Sequence, residues 1–442
     1  MCAPLGHCWQ ETVRRAPAAL AAIDGETGHA WTRAELDAAA MVWRAQVAPG
    51  SMMDGRFVLM AEPNGVQWFQ VFLGLLFAGA IPVPADSTEP ATTLRETAQS
   101  VGCAWFWHGG RLEPVASRRP VRRRDLCLVK LTSGSTGAPR ARRFTLAQML
   151  GDGRQVCATM SIRPDDLNLA VIPLGHSYGL GNLVIPLLAQ GTALVCSASP
   201  LPNVLAADCA RWHPTVFPAV PTLLQALVRA DVDPADFASL RLVISAGAAL
   251  PPEVARMFAE KFGRRAQGFY GASETGGITY DRTGEATLTG RSVGAPLEGV
   301  TMHWRRGRRF AVQSAAVLGR GSFVPADRGR LNEFGELVLL GRAGRLVKIA
   351  GRRLDLAEIE AALRGVPGVR DACAMAHPKL ADALAAAVAA DLLPAELRQV
   401  LRTKLAPWKI PERLLVLPEF PYTARGKTDR RRIAALLAAG RA

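Results

Sequence analysis

Three short stretches of this chain carry residue types that could handle a nucleoside triphosphate. The first, LTSGSTGAPR at residues 131–140, follows the apolar run Leu126 to Leu131. Its glycines Gly134 and Gly137 alternate with the hydroxyl residues Thr132, Ser133, Ser135 and Thr136, and the stretch closes on Arg140. Together these offer backbone N–H groups, O–H donors and positive charge to a polyphosphate. The GxxxxGK[ST] spacing of a Walker loop is absent, and alone a Ser/Thr/Gly segment reads as a loop. The second, GFYGASETGG at 268–277, joins Tyr270, whose ring can stack on a purine, to Gly271, Ser273 and the carboxylate of Glu274. A single carboxylate beside a phosphate suits Mg²⁺, a hard ion that prefers oxygen; the plain alternative is a tight surface turn. The third, PYTARGKTDRRRI at 421–433, sets Lys427 on a glycine-containing loop before a basic segment. A lysine there can bridge a carboxylate and a phosphate and neutralise charge growing on phosphorus, although a lone lysine is ordinarily a solvated surface group.

These residues need elements to position them. Short β-rich runs at 56–62, 125–131, 167–174, 192–198 and 240–247 alternate with helical stretches such as 181–191 and 251–263, both ending in glycine. That alternation predicts an α/β fold, a large N-terminal domain with parallel or mixed β-sheets flanked by helices. LVISAGAALPPE at 242–253 places Ala246, Gly247 and Ala248 at a strand end, where backbone can line a nucleotide crevice. Beyond Arg342 the pattern changes to a small α+β unit, with a helix at 355–363 that starts on Asp355 as cap and Glu358 three residues on. The expected division is residues 1–342, a hinge at 343–345 and a mobile C-terminal domain at 346–442.

Composition bounds the function. The 442 residues are 49% hydrophobic, enough for a large core, and the apolar run from Trp68 to Ala85 is broken by Gln70, Gly74, Gly79, Pro82 and Pro84. It is too interrupted for a membrane span of about 20 residues and reads as a buried helix running into a strand. The start of the chain has no apolar h-region behind a basic segment, so the expected location is the cytoplasm. Eight scattered cysteines form no CxxC pattern and suggest neither zinc nor a disulfide framework. A net charge of +15 favours anionic partners, whether nucleotides, coenzyme A, an acidic carrier protein or nucleic acid, without choosing among them. The basic clusters at 118–124 and 303–309 are expected on exposed loops or strand edges.

Taken together, the motifs closely resemble, in the same order, the signatures of the ANL superfamily of adenylate-forming enzymes: acyl-CoA synthetases, adenylation domains and luciferases. The resemblance runs from the Trp68–Pro84 region to Lys427. It implies that the loop of Thr132, Ser133, Gly134, Ser135, Thr136 and Gly137 embraces the β- and γ-phosphates of ATP. Arg140 stands in place of the usual lysine and Ala141 in place of the following glycine, which predicts kept charge and reduced loop flexibility. By the same resemblance Tyr270 stacks on adenine, Ser273 contacts the α-phosphate, Glu274 is the Mg²⁺ ligand, and Asp327 and Arg342 hold the ribose, the match at Asp327 being the weaker. Lys427 is the lysine of the adenylation step. His176, in PLGHSYGLGN, gates the acyl pocket, whereas a lone histidine would ordinarily be structural. Gly344 occupies the hinge position, where the family usually has Asp or Lys and where glycine can absorb large φ/ψ changes.

The implied activity is ATP-dependent activation of a small-molecule carboxylic acid to an acyl adenylate with loss of pyrophosphate, followed by transfer to the thiol of coenzyme A. Loading the phosphopantetheine of an acyl carrier protein is the alternative. HSYGLGN and the segment at 213–222 are similar to benzoate- and hydroxybenzoate-CoA ligases, which makes Tyr178, Gly179, Asn182 and Ala219 pocket candidates for an aryl or medium-chain acid. A basic nucleotide- or nucleic-acid-binding protein without catalysis is the reading of another class. No helix-turn-helix, RRM or zinc finger is present, and aromatic residues make up only 6%. Neither nucleic acid nor membrane is therefore expected as a partner.

Overall fold

The computed structural model describes residues 3–48, 50, 52–116, 121–132, 140–319, 321–342, 346–349, 352–377, 380, 383–405, 407–423 and 427–439. The expected hinge at 343–345, including Gly344, and the loop residues Ser133, Gly134, Ser135, Thr136 and Gly137 lie outside them. The chain divides into two compact units, one of Met1–His303, Ala311–Val324 and Asn332–Leu337, the other of Trp304–Phe310, Pro325–Leu331 and Val338–Ala442.

Among the described residues the larger unit is built on a nine-stranded sheet. Six strands, Leu20–Asp24, Ala193–Cys196, Leu167–Ala170, Val216–Ala219, Leu242–Ser245 and Ala266–Ala272, run parallel in that order. Antiparallel strands close both edges. The inner strands Ala193–Cys196, Val216–Ala219 and Leu242–Ser245 are buried at every position, as expected of a parallel sheet covered on both faces. A second sheet of Ile81–Pro84, Phe57–Ala61, Trp105–His108 and Arg111–Pro114 packs nearby. The run from Trp68 is a buried helix, Val66–Phe77, leading into the strand Ile81–Pro84. Among the described residues no helix is long and apolar enough to cross a membrane.

The expected helix at 181–191 differs in detail. It opens with a wide π turn, Leu180–Val184, before the α-helix Ile185–Gln190, and stops at Gly191 with φ +84°. Gly179 just before it has no room for a side chain, because a Cβ there would lie 2.1 Å from the Pro173 carbonyl oxygen.

The smaller unit carries a three-stranded sheet of Val369–Ala376, Leu384–Ala390 and Arg413–Leu417. Its alanine-rich central strand is buried throughout, and its side chains alternate between two cores. Ala386 and Val388 pack with Ile359 and Leu363 of the helix Leu356–Arg364 and with Leu397 and Leu401 of Pro394–Lys404. Ala385 and Ala387 pack with Ile433 and Leu437 of Arg430–Ala439.

At the amino ends of the parallel strands of the larger unit, one buried carboxylate ties three of them together. Asp166 Oδ2 accepts the Arg163 N–H at 2.7 Å, and its Oδ1 accepts Thr215 Oγ1 at 2.7 Å and Arg241 Nε at 2.8 Å. Thr215 Oγ1 in turn accepts the Leu167 N–H at 3.1 Å. Thus the strands starting at Leu167, Val216 and Leu242 share one clasp. Burial pushes the Asp166 carboxyl up, but the Arg241 guanidinium and the other donors outweigh this and leave it below the ordinary carboxylate value. A depressed folded pKa gives stability that is present above the unfolded value of about 3.9 and lost as pH falls through the folded value. Asp166→Asn is expected to destabilise the protein by about 2–3 kcal/mol at neutral pH. Urea denaturation should show the gap from the parent narrowing below about pH 4.

Candidate functional site

The opposite, carboxyl ends of these strands gather most of the residues that the sequence singled out, as expected for ligand sites of parallel sheets. Ala219 is fully buried, and its carbonyl oxygen accepts the Ala246 N–H at 3.1 Å. The chain then turns outward through exposed Gly247, at φ +89°, and exposed Ala248. At the next strand end, Ala266–Ala272 and Gly276–Tyr280 form a hairpin whose turn holds Ser273, Glu274 and Thr275. Buried Thr275 fastens this turn: its Oγ1 lies within 3.3 Å of the Ala272 nitrogen and carbonyl oxygen and 3.1 Å from the Gly276 carbonyl. Tyr270 and Ser273 are half-buried, and Gly271 is exposed.

The segment that follows Leu167–Ala170 enters the same region. Asn64 shapes it, donating to the Ile172 carbonyl at 3.0 Å and accepting the Leu174 N–H at 3.0 Å. His176, half-buried, caps a short helical turn at Ser177–Gly179. Ser177 Oγ meets Ser273 Oγ at 2.8 Å, which joins this segment to the turn bearing Glu274. Tyr178 donates its hydroxyl to the Ile244 carbonyl at 3.2 Å, and its ring centroid is 5.9 Å from that of Phe269. Burial raises the Tyr178 pKa well above its ordinary value, so the phenol stays a neutral donor. Asn182, buried, points its Nδ2 at Met160 Sδ, 3.7 Å away.

The strands Leu128–Thr132 and Arg140–Phe144, on either side of the Ser/Thr/Gly residues, pair antiparallel. Thr132 is paired with Arg140 and Leu131 with Ala141. Arg140, whose side chain is exposed, and Ala141 are therefore strand residues, not loop residues. The alanine that replaces glycine stiffens the ladder, because glycine weakens a strand interior.

Farther along this ladder Lys130 is paired with Arg142, so two cations stand side by side across the hairpin. Like charges placed directly opposite repel, and two acids answer them. Arg142 Nη2 lies 2.9 Å from Glu274 Oε1, and Lys130 Nζ lies 3.9 Å from Asp152 Oδ2 and 4.5 Å from the centroid of the Phe144 ring. Asp152 Oδ1 also accepts the Gly277 N–H at 3.0 Å. The hairpin behind the Ser/Thr/Gly loop is thus tied by charge to the hairpin that carries Glu274. Burial pulls the Lys130 ammonium below its ordinary pKa, against the upward pull of Asp152. The sequence pattern gives no warning of Arg142, Asp152 or Ser177. Lys130 interrupts an apolar strand, and that was the one local signal.

Glu274 supplies one half-buried carboxylate, a donor set that fits an ion keeping most of its ligands as waters and phosphate oxygens. The second unit holds the other candidates. Asp327 is half-buried at the start of the strand Asp327–Leu331, and Arg342 ends the strand Leu337–Arg342. Lys427 is exposed and bonded to Thr423, its N–H 3.3 Å from Thr423 Oγ1 and its carbonyl oxygen accepting the Thr423 N–H at 2.7 Å.

The juncture of the two hairpins has no slack. Gly276 has φ +67°, and a Cβ there would stand 2.2 Å from Asp152 Oδ1. Gly276→Ala is expected to cost about 2 kcal/mol or more through backbone strain and displacement of Asp152, measurable as a lower urea midpoint at unchanged m-value.

Comparison with known proteins follows this geometry. Residues 107–305 match the AMP-binding enzyme family, and residues 358–427 match the AMP-binding enzyme C-terminal domain. The chain is 29% identical over 374 aligned residues to 2-hydroxy-7-methoxy-5-methyl-1-naphthoate–CoA ligase of Streptomyces carzinostaticus, covering 75% of this chain and 65% of that protein. It is 27% identical over 351 residues to benzoate–CoA ligase of Thauera aromatica, covering 70% of this chain and 66% of that one. The chain therefore spans just under two thirds of the length of these two relatives. In fold it matches ATP-bound MatB from Rhodopseudomonas palustris with a TM-score of 0.84 over 99% of both chains, at 20% identity. With the two family matches in chain order and this architecture, the chain belongs to the ANL superfamily of AMP-binding, adenylate-forming enzymes.

Proposed function

We propose that this protein is an AMP-forming acid–thiol ligase that activates an aromatic carboxylic acid. The observation that carries this reading is the convergence at the strand ends: Ser177 touches Ser273, Tyr178 is hydrogen-bonded to the Ile244 carbonyl, and Glu274 sits in the same turn as Ser273. An acyl pocket bordered by Tyr178 and Ala219 would then lie beside the place where an α-phosphate meets Ser273. The aryl preference rests on the naphthoate– and benzoate–CoA ligases among the relatives and on the flat faces of Tyr178 and Phe269, which suit an aromatic ring.

The chemistry divides into two halves. In the first, a carboxylate oxygen attacks the α-phosphorus of ATP, forming the C–O–P anhydride as the bond to pyrophosphate breaks. Two anions approach each other, so fixed cations must offset their repulsion before bonds form. Arg140 and the loop 132–137 would hold the β- and γ-phosphates, Tyr270 the adenine, the Ala246–Ala248 backbone the nucleotide, and Asp327 and Arg342 the ribose. Lys427 would neutralise charge on the attacking carboxylate and the α-phosphate. Mg²⁺ at Glu274 would supply positive charge to the leaving pyrophosphate. His176 would set access to the acyl pocket, and Gly344 would let the C-terminal residues reorient. In the second half a thiolate attacks the acyl carbon and releases AMP. Coenzyme A is the proposed acceptor; the +15 charge also suits an acidic carrier protein bearing phosphopantetheine.

Acid-dependent ATP–pyrophosphate exchange tests this reading, with benzoate-type acids expected to outrun linear acids. Lys427→Ala should lose at least about a hundredfold in exchange, the scale of removing one oriented charge from a transition state, while thioester formation from preformed acyl adenylate survives. Equal loss in both halves would reject the role given to Lys427, and no exchange with any acid would reject the activity. Mass spectrometry of products made with coenzyme A and with a holo carrier protein separates the two acceptors.

A further inference from the structure

The ion pair between Arg142 and Glu274 has no role in the chemistry described above. It joins the strand leaving the phosphate loop to the residue best suited to hold Mg²⁺. Arg142 uses Nη2 on Glu274 at 2.9 Å, and its Nε is buried with no acceptor among the described residues. Its cross-strand neighbour Lys130 is already engaged with Asp152, which also holds the Gly277 N–H.

We propose that Arg142 is a positioning residue that occupies Glu274 until the metal arrives and then turns to the phosphates. The inference rests on the adenylation reading and adds a residue to it. A carboxylate bound to a dication has less charge to offer a guanidinium, so metal capture loosens the pair. Arg142, half-buried, would then have lost its acid while buried Lys130 keeps Asp152, so the freed guanidinium favours an anion. The guanidinium, with several donors in a planar fork, can meet phosphate oxygens where an aliphatic side chain could not. Metal binding at the turn and phosphate binding at the hairpin are thereby coupled through one side chain. Arg142 and the metal compete for Glu274, and by linkage the phosphates bind more tightly once the competition is resolved.

The test uses the full chain with Arg142→Gln and Arg142→Lys. Mn²⁺ binding to the nucleotide-free proteins is followed by electron paramagnetic resonance, and binding of ATP in excess EDTA by calorimetry. Arg142→Gln is expected to bind Mn²⁺ about three- to fivefold more tightly, the worth of a partly exposed ion pair, while metal-free ATP binding, in which Arg142 stays on Glu274, is little changed. Arg142→Lys should lie near the parent in both, since it keeps the charge. A merely structural Arg142 would lower thermal stability without tightening Mn²⁺, so unchanged or weaker Mn²⁺ binding in Arg142→Gln, or no Mn²⁺ binding in any of the three, overturns the proposal. Failure of the parent to bind ATP with Mg²⁺ present overturns the adenylation reading itself, whereas parental ATP binding with unshifted Mn²⁺ affinity overturns only the role of Arg142.

Discussion

Everything at this site depends on holding positive charge in a fixed place before any anion arrives. The hairpin Leu128–Thr132 with Arg140–Phe144 does this by an arrangement that is unfavourable when considered alone. Lys130 and Arg142 face each other across the ladder, and Lys130 is 2% exposed. Burying an ammonium and opposing it with a second cation both work against folding. Asp152 and Glu274 offset that repulsion, and Phe144 adds its ring face to Lys130. A buried ion pair of this kind is weak evidence for stability, because apolar residues of similar size commonly do as well.

The sheet makes such an arrangement affordable by separating its two ends. At the amino ends Asp166 collects Arg163, Thr215 and Arg241 into one clasp, so the strands are fixed where no ligand chemistry is expected. At the carboxyl ends the backbone is left to turn outward, through Gly247 on one strand and through the Ser273–Thr275 turn on the next. Hydrogen bonds from side chains, including Asn64 to the 172–174 segment and Thr275 to its own turn, hold these exits in shape. Rigidity at the floor and side-chain-tuned loops at the rim are the division of labour that lets a parallel sheet host a site.

Much of this was legible in the sequence, and the part that was not has a physical reason. The strands at 57–61, 193–196 and 242–245 were readable because a parallel strand buried on both faces is a nearly continuous apolar run. The motif around Glu274 was readable because its glycines, hydroxyls and carboxylate are neighbours in the chain. Lys130 with Asp152 and Arg142 with Glu274 are pairs separated by 22 and 132 positions, and no local spacing encodes them. Arg142 lies in the run Arg140, Ala141, Arg142, Arg143, where composition alone suggests a solvated basic face. Only the strand register distinguishes the arginine that turns toward Glu274 from its neighbours. The π turn at Leu180–Val184 was equally hidden, since its apolar residues fit an α-helical pattern just as well.

The departures from the family's usual phosphate loop take on a different meaning once the register is known. From the sequence, arginine for lysine at 140 and alanine for glycine at 141 look like changes to a loop. In the structure both residues belong to the ladder, opposite Thr132 and Leu131. Alanine at 141 removes a weak point directly beside Arg142 and keeps that strand from yielding when its charges are pulled. The Arg142 guanidinium is carried by a strand without glycine, fixed by backbone pairing opposite Lys130. The cations beside the Ser/Thr/Gly stretch are thus held by the sheet, through the pairing of Thr132 with Arg140 and of Lys130 with Arg142.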